Sequence, residues 1–282
     1  MKLFKQIEET NAYCRQLKLK KQSLGLVPTM GALHEGHLSL VRRAKNETQY
    51  VAVSIFVNPI QFNNPDDLEK YPRTLEKDLE LLSEVLEKED LVFAPDYKEM
   101  YPDEVTKKYN FGALENVMEG AHRPGHFNGV GIVVDRLFQI LQPTVAYFGE
   151  KDFQQLAIIK ELVKQESHPV KIVPCKILRE PDGLAMSSRN QRLLPADRKN
   201  ASQVYASLLL AKKLMSSGKT PEEISSQLTQ ELNAISNFVV EYITFATEEG
   251  LVEINRSTNK PIRCFIAVFA GEVRLIDNLP MF

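Results

Sequence analysis

Residues 50–57 (YVAVSIFV) are apolar almost throughout, and this run limits the possible folds more than any other feature of the chain. A strand that is buried on both faces has such a composition, which favours a parallel sheet. A short strand at 23–29 and an amphipathic helix at 34–47 precede this run in the chain. We therefore predict that the three segments form a βαβ unit.

Apolar strands and amphipathic helices continue to alternate as far as residue 176. In this part we predict helices at 7–19, 74–88, 130–141 and 153–165, and strands at 90–95, 145–148 and 171–175. The pattern then changes to helices at 195–217 and 220–236, followed by strands at 239–245, 263–269 and 273–277. We expect an α/β fold with a Rossmann-like doubly wound parallel sheet at 1–176, and a smaller α+β C-terminal lid domain at 177–282.

The composition restricts the class of protein. The 282 residues carry a formal net charge of −2, whereas a nucleic-acid-binding domain usually has a basic face, so we expect no nucleic-acid partner. The charged N-terminal segment predicts no signal peptide, and the lack of a long apolar run predicts no membrane span. The three cysteines, Cys14, Cys175 and Cys264, form no zinc-binding motif and fit a reducing cytoplasm.

The segment 27–40 (VPTMGALHEGHLSL) joins the first predicted strand to its helix. Ligands of open α/β sheets bind beyond the carboxyl ends of the strands, and the backbone N–H groups of a helix N-terminus suit a phosphate. Gly31 allows a tight turn, and Gly36 allows a nucleotide to lie close to the helix. His34 and His37 share one helical face, where either can donate to phosphate oxygens. The alternatives are a plain turn with polar histidines, and a histidine metal site that has no third ligand nearby in sequence.

Three further segments have side chains that suit phosphate groups or a hydroxy acid. Gln61 follows the second strand, and its amide offers both a donor and an acceptor. Residues 149–152 (GEKD) follow another strand and include Lys151, a mobile cation that can follow phosphate charge. Asp152 either caps the next helix or contacts the ribose. Residues 186–189 (MSSR) bring two hydroxyls and a guanidinium together after a turn signal.

Two polar loops complete the candidate site. Arg123, His126 and Asn128 lie between glycines, and we expect them to form a substrate-side loop; the alternative is a plain glycine-rich connection before the next helix. Residues 63–67 (NNPDD) are polar and rich in turn formers, and we expect them to form part of a lid that excludes water.

Taken together, these segments resemble a known family. HxGH after a first strand resembles the ATP-binding motif of the HxGH nucleotidyltransferase and class I aminoacyl-tRNA synthetase superfamily. The longer string PTMGALHEGHLSLV resembles the pantothenate synthetase (pantoate–β-alanine ligase) family. Further segments agree in order and spacing: 54–62 (SIFVNPIQF), 71–79 (YPRTLEKDL), 123–134 (RPGHFNGVGIVV), 148–156 (FGEKDFQQL) and 186–190 (MSSRN). MSSR resembles the KMSKS loop of the superfamily, although no lysine precedes Met186 and Arg189 takes the second basic place.

The resemblance implies an AMP-forming acid–amino-acid ligase. Such an enzyme condenses pantoate with β-alanine at the expense of ATP, through a pantoyl-adenylate intermediate, and releases AMP and pyrophosphate. The resemblance implies catalytic roles for His37, His34 and Lys151, and contacts of Gln61 and Gln155 with pantoate and β-alanine. The implied ATP-binding residues are Met30, Gly31, Ala32, Leu33, His34, Glu35, Gly36, His37, Gly149, Glu150, Lys151, Asp152, Leu178, Met186, Ser187, Ser188 and Arg189.

Mg²⁺ is expected to accompany ATP. Asp78 is the candidate protein ligand, although Lys77 stands beside it where some relatives have a second acid. The alternative is that Asp78 faces solvent on its helix.

Other classes of protein share single features of this chain. A nucleotidylyltransferase would retain AMP in its product, and a class I aminoacyl-tRNA synthetase would need a tRNA-binding appendage for which 282 residues leave little room. A non-catalytic interaction protein would have no use for three phosphate-suited segments at successive strand ends. The family resemblance also implies a homodimer formed through the N-terminal domain. From the sequence, either His34 or His37 could face the phosphates.

Overall fold

The structure, a computed structural model, describes residues 1–256 and 258–281. The strands are β1 (Lys2–Phe4), β2 (Leu24–Thr29), β3 (Tyr50–Ile55), β4 (Leu91–Phe93), β5 (Val145–Gly149), β6 (Lys171–Cys175), β7 (Phe238–Thr247), β8 (Ile262–Ala270) and β9 (Val273–Pro280). The helices are α1 (Ile7–Leu19), α2 (Glu35–Glu47), α3 (Pro65–Glu69), α4 (Leu75–Ser83), α5 (Tyr97–Met100), α6 (Met118–His122), α7 (His126–Leu141), α8 (Phe153–Gln165), α9 (Pro195–Asn200), α10 (Gln203–Ser216) and α11 (Pro221–Asn233).

The described residues divide into two compact units. The first comprises Met1–Glu150 and Gln155–Lys176, and the second comprises Lys151–Gln154 and Ile177–Phe282. The short segment Lys151–Gln154 thus groups with the C-terminal part of the chain.

The first unit contains a six-stranded sheet with the order β1-β4-β3-β2-β5-β6 and parallel pairing throughout. Successive side chains of β2 enter different cores, because Leu26 and Val27 point to opposite faces of the sheet. Helices α1, α7 and α8 contribute to the core on one face, and α2 and α4 contribute to the core on the other. Strand β3 lies on one side of β2 and β5 lies on the other, so the strand order reverses between β2 and β5. Ligands of such folds bind beyond the carboxyl ends of the strands at this point.

The second unit contains an antiparallel sheet with the order β7-β8-β9. Apolar side chains of α10 and α11, among them Leu208 and Leu228, pack with strand residues such as Phe245 and Ile266 in one core. Thr220 caps α11 through a capping box with Glu223. The predicted fold class, a Rossmann-like parallel sheet followed by a small α+β part, is therefore confirmed.

Several predicted boundaries are wrong in informative ways. Helix α7 begins at His126 rather than at residue 130, and α4 ends at Ser83 rather than at residue 88. The single helix predicted at 195–217 is two helices, α9 and α10. The edge strand β1 was not predicted at all.

Candidate active site

The turn between β2 and α2 depends on two residues with positive φ. Gly31 has φ +81° and Ala32 has φ +50°, so the chain passes through the left-handed region twice before α2 begins at Glu35. A side chain at position 31 would also place its Cβ only 3.0 Å from Asp78 Oδ2. Glycine is therefore required at this position by both backbone conformation and space.

The Asp78 carboxylate holds this turn in place. Ala32 N donates to Asp78 Oδ2 at 3.0 Å, and Leu33 N donates to Oδ1 at 2.7 Å. The Thr74 hydroxyl donates to Oδ1 at 3.2 Å. The alternative that Asp78 faces solvent is wrong, because it is 1% exposed. A role as a Mg²⁺ ligand stays a prediction, and it competes with these three hydrogen bonds for the same two oxygens.

His34 and His37 form a reciprocal cap at the start of α2. Gly36 N donates to His34 Nδ1 at 3.1 Å, and His34 N donates to His37 Nδ1 at 3.4 Å. Because each Nδ1 accepts a hydrogen bond, the proton of each neutral ring lies on Nε2. The ring centroids are 4.1 Å apart. The two histidines therefore have the same tautomer, in which each Nε2–H is a donor.

Gln61 lies in a 3-10 turn after β3, and a buried polar network fixes its amide. Asn58 Nδ2 donates to Gln61 Oε1 at 3.3 Å and to Gly129 O at 3.0 Å. The Tyr101 hydroxyl donates to Asn58 Oδ1 at 3.2 Å. Burial raises the pKa of Tyr101, so its hydroxyl keeps its proton. Gln61 Nε2 then donates to Met30 Sδ at 3.1 Å, which brings this amide beside the β2–α2 turn.

The predicted loop around residue 125 supports the segment that carries Gln61. Because the Gln61 carbonyl oxygen can only accept, His126 Nδ1 donates to it at 2.8 Å. His126 Nε2 is then an acceptor, and Arg123 Nη1 lies 3.3 Å from it. Asn128 Oδ1 accepts from Tyr109 N at 2.8 Å. His126 is buried at the start of α7, where it contacts the backbone of Gln61; a substrate-side role of this segment stays a prediction.

The GEKD segment divides between the two units. In the first unit, Gly149 ends β5 next to β2 in the sheet, and Gln155 lies half-buried in the first turn of α8. In the second unit, Lys151 Nζ lies 3.9 Å from Asp152 Oδ1. The Lys151 side chain is 20% exposed.

The MSSR segment of the second unit begins where a tight reversal of the chain ends. Met186 N donates to Leu178 O at 3.0 Å, which brings together two of the implied ATP-binding residues. Ser187 Oγ accepts from Arg189 N at 3.3 Å and so caps the 3-10 turn Ser188–Arg192.

Within residues 1–256 and 258–281, no group of three His, Cys, Asp or Glu side chains is arranged to hold a metal ion. In the same part of the chain, no helix is both long enough and apolar enough to cross a membrane.

The sequence interpretation missed Tyr101 and the role of Asn58. Asn58 stands in the quoted NPIQF string, and the proline after it already restricted its backbone. Tyr101 follows α5 and reaches Asn58 only through the fold, so no local pattern could have identified it.

The chain matches one family model, and similar relatives and solved structures are known. The family model described as pantoate-beta-alanine ligase matches residues 2–280. The chain is 45% identical to pantothenate synthetase of Flavobacterium psychrophilum, with 100% of both chains covered. Pantothenate synthetase from Thermus thermophilus superposes with a TM-score of 0.92 at 41% identity, with 100% of both chains covered. Pantoate-beta-alanine ligase from Francisella tularensis, solved in complex with beta-gamma ATP and beta-alanine, superposes with a TM-score of 0.85 at 37% identity, and the match covers 100% of this chain and 98% of the other.

Proposed function

This chain belongs to the pantoate–β-alanine ligase family, and we propose that it joins pantoate to β-alanine through a pantoyl-adenylate intermediate. The family inferred from the sequence motifs is thereby confirmed. The substrates of the proposed reaction are ATP, pantoate and β-alanine, and its products are pantothenate, AMP and pyrophosphate.

One contact supports the proposal more than any other. Gln61, the predicted pantoate-binding residue, donates from Nε2 to Met30 Sδ at 3.1 Å. Met30 is the first residue of the predicted ATP-binding turn, which leads to the N-terminus of α2. An acid bound by the Gln61 amide would therefore lie beside a nucleotide phosphate bound at that turn. Such proximity is what a direct attack of the acid on ATP requires.

In the proposed first step, a pantoate carboxylate oxygen attacks the α-phosphorus of ATP. A new P–O bond forms while the bond to the leaving pyrophosphate breaks, and negative charge grows on the phosphate oxygens. The Nε2–H groups of His34 and His37 and the backbone N–H groups of the α2 N-terminus are donors suited to that charge. Since both rings have the same tautomer, we propose that they share this task.

In the proposed second step, the β-alanine amine attacks the acyl carbon of the adenylate. The C–N bond forms, the bond to the AMP oxygen breaks, and the amine loses one proton. The adenylate is open to hydrolysis, so residues 63–67 remain our candidate for a water-excluding segment. Unchanged protease sensitivity there on addition of ATP and pantoate would count against that role.

The other site residues enter the proposal through the family resemblance. They are Gln155 for pantoate, Lys151 as a catalytic cation, and the ATP contacts at 149–152, 178 and 186–189. Mg²⁺ would be carried mainly by the ATP phosphates, because Asp78 already accepts three hydrogen bonds. A cytoplasmic location, a homodimer and the absence of a nucleic-acid partner also remain proposals.

The direct experiment measures pyrophosphate release from ATP and pantoate, with and without β-alanine. We expect about one equivalent of pyrophosphate per active site without β-alanine, and continuous release of pyrophosphate and AMP with it. A nucleotidylyltransferase would instead retain AMP in its product. Two results would contradict the proposal. One is that no pyrophosphate is released until β-alanine is added, and the other is that pyrophosphate is released with other acids but not with pantoate.

Two histidine variants test the proposed donors, and His34→Asn does so without removing a cap. In His34→Asn, the amide keeps an acceptor near the Nδ1 position, so α2 stays capped, but the Nε2–H donor is lost. We expect His34→Asn and His37→Ala each to lower kcat by roughly a hundredfold or more, which corresponds to ~3 kcal/mol. His122→Ala, at an exposed histidine of α6, is the matched control and should keep normal turnover. Near-normal turnover of either site variant would exclude that histidine.

A further inference from the structure

Asn278 is a buried polar residue of β9 that contacts the predicted catalytic segment of its own unit. Asn278 is 2% exposed, and its Nδ2 donates to the carbonyl oxygen of Lys151 at 2.9 Å. Its Oδ1 accepts from Arg263 Nη1 at 2.6 Å. A guanidinium can only donate and a carbonyl oxygen can only accept, so the amide of Asn278 has a single orientation.

Arg263 is fixed in turn by its own contacts. It is 5% exposed, and Glu248 Oε1 accepts from its Nε at 3.1 Å and from its Nη2 at 2.8 Å. Its Cζ lies 4.1 Å from the centroid of the Phe153 ring, and that ring lies 5.9 Å from the ring of Phe265 on β8. The segment that begins at Lys151 is therefore held at its backbone by Asn278 and at Phe153 by Arg263.

We propose that Asn278, oriented by Arg263, is a positioning residue for Lys151. This inference rests on the proposed contact of Lys151 with the ATP phosphates. The lysine ammonium is a point charge on a flexible stem, so the place of its backbone sets which phosphate oxygens it can reach. Asn278 touches neither substrate nor phosphate in this proposal, and its effect passes entirely through Lys151.

A double-mutant cycle tests this dependence. We expect Asn278→Ala alone to lower kcat/KM for ATP about tenfold, because a misplaced catalytic group commonly costs between about tenfold and a hundredfold. In the Lys151→Ala background, Asn278→Ala should change kcat/KM by less than about twofold, because the group that it positions is already absent. Asn278→Asp, which keeps an acceptor for Arg263 but loses the donor to Lys151, should behave as Asn278→Ala does.

The control variant is Arg274→Gln. Arg274 lies on β9 as well, and it pairs with Glu241 of β7. Its loss should lower the midpoint of thermal unfolding and leave kcat/KM unchanged. All assays are made well below the midpoint of the least stable variant, so that the folded fraction is equal in each.

Four results would overturn the inference. An equal loss from Asn278→Ala in both backgrounds would show that its role is general stability, and so would an equal loss of kcat/KM in Arg274→Gln. Wild-type kcat/KM in Asn278→Ala would exclude a positioning role while leaving the Lys151 role intact. Normal turnover of Lys151→Ala would exclude both the catalytic role of Lys151 and the positioning role of Asn278. The proposed reaction would still be tested separately, by pyrophosphate release from the unaltered chain.

Discussion

The two carboxylate oxygens of Asp78 either hold the β2–α2 turn through hydrogen bonds or bind Mg²⁺. The variant Asp78→Asn distinguishes these two roles. In Asp78→Asn the amide oxygen can remain at the Oδ1 position, where it still accepts from Leu33 N and from the Thr74 hydroxyl. The amide nitrogen then faces Ala32 N, and two donors oppose each other where a hydrogen bond of 3.0 Å existed.

The expected cost follows from this geometry. One hydrogen bond to a charged acceptor is lost and the other two now have a neutral acceptor, in a place that water does not reach, which costs about 2–3 kcal/mol. For a domain of roughly 150–250 residues, that lowers the midpoint of thermal unfolding by about 4–12 °C. Ala32 has φ +50°, and without Asp78 it can relax toward negative φ. The caps on α2 would then shift, so we expect kcat/KM to fall at least about tenfold.

Asp90 offers a matched control within the same sheet. It too is 1% exposed, and its oxygens accept from Val51 N at 2.8 Å and from Glu87 N at 2.7 Å. It precedes β4, however, and therefore lies at the amino ends of the strands, away from the turn. Asp90→Asn should lose a similar amount of stability while kcat/KM stays within about twofold of normal, because the candidate site is at the other edge.

Thermal unfolding and steady-state kinetics over a range of Mg²⁺ concentrations decide between the two roles of Asp78. The turn-holding role predicts a lower unfolding midpoint and an unchanged Mg²⁺ requirement. An unchanged midpoint together with a raised Mg²⁺ requirement would refute it and favour a metal ligand. Equal losses of kcat/KM in Asp78→Asn and Asp90→Asn would refute the link between the turn and activity.

Two other variants test parts of the first unit. Tyr101→Phe removes the donor to Asn58 Oδ1, so we expect a higher KM for pantoate and an unchanged KM for ATP; an equal rise in both would contradict the proposed orientation of the Gln61 amide. Burial alone would raise the pKa of Asp135, but hydrogen bonds from Lys107 and His168 outweigh it and hold the pKa below its ordinary value. A carboxyl with a lowered folded-state pKa stabilises the protein above its unfolded-state pKa, and this contribution is lost as pH falls through the folded-state value. Asp135→Asn should therefore lower the free energy of unfolding by about 2 kcal/mol at pH 7 and by progressively less as the pH falls below about 3.9, the ordinary value for an aspartate, as measured by urea titration; a difference that does not depend on pH would contradict this.

The sequence predicted elements well where local pattern decides them. The strand β6 and the helix α1 have the bounds that their composition or periodicity indicated, and β3 begins as predicted but ends two residues before the apolar run does. The strand β1 was missed because three residues show no period, and its place depends on pairing with β4. The break between α9 and α10 was missed because neither glycine nor proline marks it.

The start of α7 shows why glycines can mislead. The residues 126–129 (HFNG) looked like a loop because a glycine weakens a helix. In the structure, a Cβ at Gly129 would lie 2.6 Å from Gln61 Cα, so this glycine allows α7 to pass close to the turn that carries Gln61. The residue that argued against a helix is explained by a tertiary contact that local sequence cannot show.

Some features of the candidate site could likewise be predicted from local sequence, and others depend on the fold. The phosphate-suited turn was readable because a strand, two glycines and two histidines stand together in one segment. The orientation of the Gln61 amide and the hold of Asp78 on the turn depend on residues distant in sequence. Tyr101 is the clearest case, since its partner Asn58 belongs to a different part of the chain.

The central claim is that the pantoate carboxylate attacks the α-phosphorus of ATP. It is tested most directly with pantoate labelled with ¹⁸O in its carboxylate, followed by mass spectrometry of the nucleotide after turnover with β-alanine. One carboxylate oxygen stays on the α-phosphate when the adenylate is cleaved at the acyl carbon, so each AMP should carry one ¹⁸O. Unlabelled AMP, or label in inorganic phosphate accompanied by ADP, would contradict the adenylate route.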